Sequence, residues 1–478
     1  MNGFHKIALE CVSDKVLNKI HDASIRILEN RGVVVHHSEL REIAKKKGAK
    51  VENEIVFFSR SLIENAIETA PSHFDFHSRN KNRKITIGKE LVLSPAHGHP
   101  FIMDENGRRP GTLQDYINLV KLTHQLDSLK LTGGILVEPS DVHKDIRHVE
   151  LMFNLLKHTD KPLIFVAAGQ KKSEDVIEMM ALALGCADAK LNLAAITLTV
   201  NPLSPLRWDA VMSGTIVAFA RNRQPLQIAP AAMIGATGPI TPLGTCVLQN
   251  TEILSGITLA QMINEGTPMV IAPCSAASYM KTANFVVGSP EAILLNMAQV
   301  QMAKNYKIPC RIQGTITDAK SLNYQGGYEG SFSLLLQVLA VGKGAYVSQA
   351  VGSFDSYMTV SAEKFVADDE ICKRLICILE GLETAEESYA LDTIMEIGHD
   401  GSYLTHEDTF EHFRERWIPP IADWDSYEDW ERKGCIDYEE RAREKAKELL
   451  AGYVAPKFDK EAEKHLAKYV ADFKSKRS

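Results

Sequence analysis

The sequence predicts an α/β protein built on a parallel (β/α)8 TIM barrel, with a helical extension at each end. Eight short apolar runs, rich in β-branched or small residues, recur between Leu91 and Gln349, each followed by a polar turn and a helix-period segment. The runs lack clean apolar/polar alternation, as expected of parallel strands covered by helices. After the first run the chain reads SPAHGHP, not the GxGxxG that often opens a doubly wound sheet, which counts against that alternative.

Residues 1–90 read as a separate, largely helical preface. Ser13 can cap a helix whose Val16, Ile20, Ala23 and Ile27 fall on one face, and Gly32 supplies its stop. The barrel is assigned to residues 91–400. Its strands are expected at Leu91–Pro95, Gly133–Glu138, Pro162–Ala167, Leu193–Thr199, Pro225–Pro230, Pro268–Pro273, Pro309–Gln313 and Ala345–Gln349. Helices are expected to begin near Thr112, Val142, Ser173, Arg207, Thr245, Ser289, Gln325 and Ser361. Thr112 with Asp115, and Ser289 with Glu291, supply the short polar side chain and the acid that satisfy free amides at a helix start. Residues 401–478 read as a helical cap: Trp417, Trp424 and Trp430 stand together, and YEERAREKAKELLAGY is a mixed-charge, solvated helix with many i,i+4 pairs.

Of the 478 residues 45% are hydrophobic and 24% charged, the balance of an ordinary globular protein. A formal charge of −7 leaves no basic excess for phosphates, which excludes nucleic acid as a partner. Neither an apolar leader nor a run of ~18 apolar residues is found, so a cytoplasmic protein without a membrane span is expected. Cys11, Cys186, Cys246, Cys274, Cys310, Cys372, Cys377 and Cys435 are scattered without a CxxC pair and read as buried free thiols.

In a barrel the loops after the strands build the site. His97 and His99 after the first strand could hold a metal, but a third ligand is needed; no cysteine is placed in these loops, and Asp318 or Asp355 would have to serve. Hydrogen bonding in a pocket is the preferred reading, with a metal-dependent barrel enzyme as the alternative. The glycines of IGATGPITPLGT lack both the Walker lysine and the Rossmann spacing. Aromatics are dense in the loops: Phe101, Tyr279, Tyr324, Tyr328, Phe354 and Tyr357. Converging on one mouth, they would suit a quaternary ammonium, each face contributing ~0.5–2 kcal/mol when desolvated.

The stretch GTITDAKSLNYQGGYEGSFSLLLQVLAVGKGAYVSQAVGSFDSYM resembles the trimethylamine methyltransferase family, as do DENGRRPGTLQDYINLVKLTHQLD, IGATGPITPLGT and HFRERWIPPIADWDSYEDWERKG. The family's founding members carry pyrrolysine and pass a methyl group from trimethylamine to the cobalt of a corrinoid protein. This chain has standard residues alone, including Gln313 to Asp318, where the special residue would be expected. The resemblance therefore implies the branch that demethylates quaternary amines: glycine betaine, proline betaine or carnitine. It implies a corrinoid carried by a separate partner protein, with no cofactor held by this chain, which lacks a DxHxxG cobalamin motif. A betaine-binding protein without catalysis is a further alternative, and self-association is left open.

On this reading Phe354 and Tyr357, with Phe101 nearby, hold the ammonium, helped by Asp318 or Asp355. His97, His99, Asn201, Gln313 and Gln349 are the candidate donors to a substrate carboxylate. Arg311 is two residues deeper and is read as such a donor or as half of a core ion pair. No catalytic acid is expected, because a quaternary nitrogen leaves as a neutral amine.

Overall fold

Eight short parallel strands are present, seven of them at the expected apolar runs: β1 (Val92–Leu93), β2 (Thr132–Gly133), β3 (Leu163–Ile164), β4 (Ile196–Val200), β5 (Leu226–Ile228), β6 (Met269–Ile271), β7 (Arg311–Gln313) and β8 (Tyr346–Ser348); β2 shares only Gly133 with the expected Gly133–Glu138. The computed structural model describes residues 9–165, 168–186 and 191–476, so the last two positions of the expected third strand, Val166 and Ala167, lie outside the described residues. The order β2-β3-β4-β5-β6 forms one parallel sheet and β7-β8-β1 another. Two contacts run between them: Ile271 N donates to Pro309 O at 2.9 Å beside a parallel bridge from Ile271 to Cys310, and Leu131 N donates to Leu93 O at 3.3 Å. The fold is mixed α/β.

Three helices precede the strands: α1 (Asp14–Asn30), α2 (Ser38–Lys46) and α3 (Arg60–Thr69). Eight more alternate with the strands: α4 (Leu113–Gln125), α5 (Arg147–His158), α6 (Gln170–Ala183), α7 (Ala210–Arg221), α8 (Pro242–Ile263), α9 (Pro290–Tyr306), α10 (Tyr324–Val341) and α11 (Ala362–Glu380). Local capping fixes most starts. Thr112 and Asp115 form a reciprocal capping box, while Ser289, Asn323 and Ser361 each accept from the third amide of their helix. Two expected starts fall later. The chain from Val142 stays irregular until Arg147, and Arg207–Trp208 is drawn into strand pairing with Val34–Val35, so α7 waits for its Asp209 cap.

The preface is not separate, which corrects the sequence reading. Val33–Val35, Lys50–Glu52 and Ile55–Phe57 form a sheet with Arg207–Trp208, and α1 and α3 pack on α8. Wrapped on all sides, α8 is buried around most of its circumference, polar Gln249, Asn250 and Glu252 included. The buried face of α1 runs through Leu17, Ile20, Ser24 and Leu28, with Val16, Ala23 and Ile27 at its margins. A second antiparallel hairpin, Phe74–Phe76 with Ile85–Ile87, seats Phe76, Ile85 and Ile87 against Val92, Leu131, Ile164, Val270 and Tyr346. Val92 and Tyr346 open their strands, Leu131 precedes β2, and His77 N donates to Ala194 O ahead of β4, so the hairpin covers the N-terminal ends of the strands.

At the other terminus, α12 (Leu391–Ile397), α13 (Glu407–His412) and α14 (Tyr427–Arg432) are short and largely exposed. The chain then returns as α15 (Tyr438–Ala451), packed on α11 and α4, and α16 (Lys460–Ser475), packed on α5 and α6. This segment therefore flanks the strand-bearing core. The charge pairs of α15 are mostly i,i+3, and Ala442 and Ala446 are buried, so that helix is solvated on one face only. Cys246, Cys310 and Cys372 are buried as expected, but Cys377 and Cys435 are exposed. Among the described residues no helix is long and apolar enough to cross a membrane.

Phe76 is fully buried in the stopper, so Phe76→Ala should lower unfolding free energy by about 3–5 kcal/mol in urea titrations. A midpoint within error of the parent would remove the hairpin from the core.

Candidate active site

The strand register decides which side chains meet. Along β7, Arg311 and Gln313 share one face and Ile312 takes the other. Arg311 crosses to the nonadjacent β4, donating from a terminal nitrogen to Thr199 Oγ1 at 3.3 Å; likewise Gln227 of β5 donates to Tyr346 OH of β8 at 3.1 Å and to Thr197 Oγ1 at 3.3 Å. Side chains of nonadjacent strands thus meet in a shared interior. That interior holds unpartnered polar atoms: Arg311 Nε, Gln313 Oε1, Gln227 Oε1 and Ser348 Oγ. Arg311 is 3% exposed, and among the described residues no carboxylate pairs with it. Leaving a buried charge uncompensated costs several kcal/mol, so its retention points to a ligand.

Several expected site residues are committed elsewhere. Gln349, in the left-handed region at φ 56°, accepts from His97 N at 3.2 Å and donates to His97 O at 3.0 Å, stapling the first and eighth loops. Asn201 donates to Ala229 O at 2.6 Å, and Gln313 Nε2 to Pro273 O at 2.8 Å. Asp318 accepts from Val287 N at 3.0 Å, Gly288 N at 2.8 Å and the Ser356 hydroxyl, tying three loops together. Asp355 is held by Lys320 at 3.0 Å and Arg108 at 3.3 Å. Neither carboxylate is left for an ammonium.

The aromatic cage is also redrawn. Phe354 is buried with the Lys364 ammonium 5.5 Å from its ring, and the Arg108 guanidinium lies 3.9 Å from the Phe101 ring, so both faces are already taken. Tyr324 and Tyr328 pack in a tilted pair with ring centroids 5.5 Å apart on the outside of α10, and Tyr279 is exposed. Tyr357 remains. Its ring lies 6.0 Å from Phe285, and its hydroxyl is 3.6 Å from Cys274 Sγ. Burial raises the Tyr357 phenol well above its ordinary range, with Cys274 adding to the effect. Asp355, Ser356 and Tyr357 are consecutive left-handed residues at φ 52°, 52° and 71°, a backbone costly outside glycine and concentrated at functional sites. A cleft of about 970 Å³ opens beside them, lined by Met233, Tyr279, Phe285, Asp318, Glu329 and Ser356.

His97 and His99 are both buried and neutral. Burial brings His97 down to about 4, helped by the Arg311 charge, and His99 down to about 3, helped by His97. His99 Nε2 pairs with Ser353 Oγ at 2.9 Å, while its Nδ1 has no partner. Among the described residues no three His, Cys, Asp or Glu side chains gather to hold a metal, so the HxH pair lacks its third ligand. Cys274, contrary to the sequence reading, does stand in the loop after a strand, three residues past the end of β6; its position directly after PMVIAP was the available signal. The polar interior positions Gln227 and Ser348 were likewise visible as polar residues inside apolar runs.

Fold and site together define an α/β protein whose parallel strands bring buried polar side chains, Arg311 among them, together between nonadjacent strands. The chain belongs to the trimethylamine methyltransferase family, which it matches over residues 4–477. It is similar to the glycine betaine methyltransferase of Desulfitobacterium hafniense (strain Y51), 34% identical over 463 residues that cover 96% of each chain. The proline betaine:corrinoid methyltransferase of Eubacterium limosum is 28% identical over 473 residues, covering 96% of this chain and 97% of the relative. In fold it is similar to the Methanosarcina barkeri monomethylamine methyltransferase, with TM-score 0.53 at 11% identity over 93% of this chain and 89% of the other.

The two histidines predict an acid-sensitive fold. Unfolded imidazoles take up protons near 6.5, the folded ones near 4 and 3, so stability is complete above about 6.5 and falls as pH drops toward 4. Each should cost on the order of 2 kcal/mol at pH 5. Urea midpoints measured from pH 7.5 to 5 should fall less steeply for His97→Asn with His99→Asn than for the parent; equal slopes would clear these residues.

Proposed function

We propose that the protein transfers a methyl group from a carboxylated quaternary amine, a betaine, to the corrinoid of a separate carrier protein. We further propose that its eight strands close into a (β/α)8 barrel, residues 91–400, whose interior is a polar well; the contacts between β6 and β7, between β1 and β2, and across the interior support this reading. The hairpin within residues 1–90 stoppers the barrel, the helices before it pack on α8, and residues 401–478 flank the barrel.

One observation carries the substrate class. Arg311 is a buried cation without a counter-charge, beside acceptors that lack donors. A betaine carboxylate supplies the missing negative charge as a charge-assisted hydrogen-bond partner of the guanidinium. The ammonium then faces the acceptor oxygens Gln313 Oε1 and Ser348 Oγ and the rings of Tyr357 and Phe285, while the methyl group points to the open mouth. The partner's corrinoid supplies a cobalt(I) nucleophile there, and the wide cleft between the sixth, seventh and eighth loops leaves room for its approach. Catalysis rests on orientation and exclusion of water, since the departing tertiary amine needs no proton. The neutral His97 and His99 fit that requirement, adding no second positive charge near the ammonium.

The test is a spectrophotometric assay with reduced cob(I)alamin and a panel of betaines, with choline as the carboxylate-free control. Methylcobalamin should form with at least one betaine and not with choline. Arg311→Met should raise KM for that betaine by about 100-fold or more while leaving the urea midpoint equal or higher, because it removes an unpaired buried charge. Tight betaine binding without methylcobalamin would make the protein a binding module, and an Arg311→Met variant with parental KM would sink the carboxylate assignment.

A further inference from the structure

Helices α8 and α9 carry amides where packing alone calls for apolar side chains. Gln249, Asn250 and Gln299 are each 0% exposed. Burying an amide costs free energy unless its hydrogen bonds are met, and here each side chain meets the next. Ser275 N, in the sixth loop, donates to Gln249 Oε1 at 3.2 Å, Gln249 Nε2 donates to Gln299 Oε1 at 3.5 Å, and Gln299 Nε2 donates to Asn250 Oδ1 at 3.1 Å. Asn250 Nδ2 then donates to Tyr306 OH at 3.1 Å and to Ser24 Oγ of α1 at 2.9 Å. With its oxygen accepting, the Tyr306 hydroxyl turns its proton to His21 Nδ1, 3.0 Å away on the half-buried side of α1. Burial, helped by the Arg60 charge, holds His21 below its ordinary range and keeps that nitrogen free to accept.

Every bond runs in one direction, from the loop toward the surface. An apolar contact between helices can slide, whereas a head-to-tail chain of amides is satisfied in one register. The loop end of this chain adjoins the well, and three consecutive residues make the connection. Ser275 N is held by Gln249, Cys274 Sγ lies 3.6 Å from Tyr357 OH, and Pro273 O accepts from Gln313 Nε2 at 2.8 Å. That last bond occupies the nitrogen of the Gln313 amide and leaves Oε1, buried without a partner, as its free atom. Ser275 Oγ also accepts from Ala232 N at 3.0 Å, so the fifth loop is tied to the same residue.

We propose that Gln249, Gln299 and Asn250 are positioning residues for methyl transfer: they fix Pro273 to Ser275 from behind, and through Pro273 they set which atom Gln313 presents to the substrate. The inference rests on the betaine reading for its substrate, but the hold on the loop is measurable without it.

Gln299→Met cuts the chain in its middle. Iodoacetamide labelling of the half-buried Cys274, followed by peptide mass spectrometry, should become about 10-fold faster in this variant at an unchanged circular dichroism spectrum. In the methylcobalamin assay kcat/KM for the accepted betaine should fall by about 10-fold. In a Gln313→Met background the same Gln299→Met change should be nearly silent, because the atom it displaces is gone. Tyr306→Phe deletes one hydroxyl at the far end and serves if Gln299→Met does not fold; it should move both readings in the same direction by about 3-fold. Should the parent form no methylcobalamin from any betaine, the betaine reading fails and the labelling rates alone decide this one. Equal labelling rates in parent and variants, or a loss of kcat/KM as large without Gln313 as with it, would overturn the proposal.

Discussion

A guanidinium buried without a counter-ion among the described residues is the constraint around which the interior is arranged. Arg311 can persist there because its surroundings are neutral and polar: a threonine hydroxyl, glutamines, and histidines whose protonation is suppressed. The nearby carboxylates are spent elsewhere, Asp318 on backbone amides, Asp355 on Lys320 and Arg108, and Glu329 on the seventh loop. Charges have been sorted by depth, with the acids in the loops and a lone cation in the well. Desolvation that weakens the isolated protein is thereby held in reserve for a negatively charged ligand.

The loops above the well are rigid for the same reason that they are strained. Three successive left-handed residues, Asp355 to Tyr357, are a costly backbone that unconstrained chains avoid. Asp318 offsets this cost by fastening the sixth, seventh and eighth loops through one carboxylate, and Asp355 N and Ser356 N donate back to Ala319 O and Thr317 O. Tyr357 is therefore aimed by its backbone rather than by its own contacts. That separation of roles turns a predicted ligand-binding acid into a brace, and leaves a single tyrosine where a cage had been expected.

The strand positions were legible because each buried parallel strand is an apolar run bounded by turn residues, and helix starts were legible where Thr112, Ser289 and Ser361 announce them. The three-residue strands of the N-terminal region were not, since so short a segment has no period to read. Loop position drew attention to Tyr357 and to Gln313, whose side-chain oxygen is buried without a partner. It failed for Phe354, Gln349 and Asp318 because their partners come from distant loops: Lys364, the His97 backbone and Gly288 are unrelated in sequence to the residues they occupy. Arg311 was undecided for the same reason, as pairing with an acid is a tertiary fact.

The hairpin that closes one end of the strands has a kinetic meaning. In the barrel proposed above, Phe76, Ile85 and Ile87 stop one end and leave the other as the entrance. Whatever reacts with a molecule in the well must stand in the doorway that the molecule used, so loading, reaction and exit cannot overlap in time. On the proposed function, order of arrival becomes a property of the architecture: the small molecule enters first, the carrier protein closes over it, and the remnant departs last.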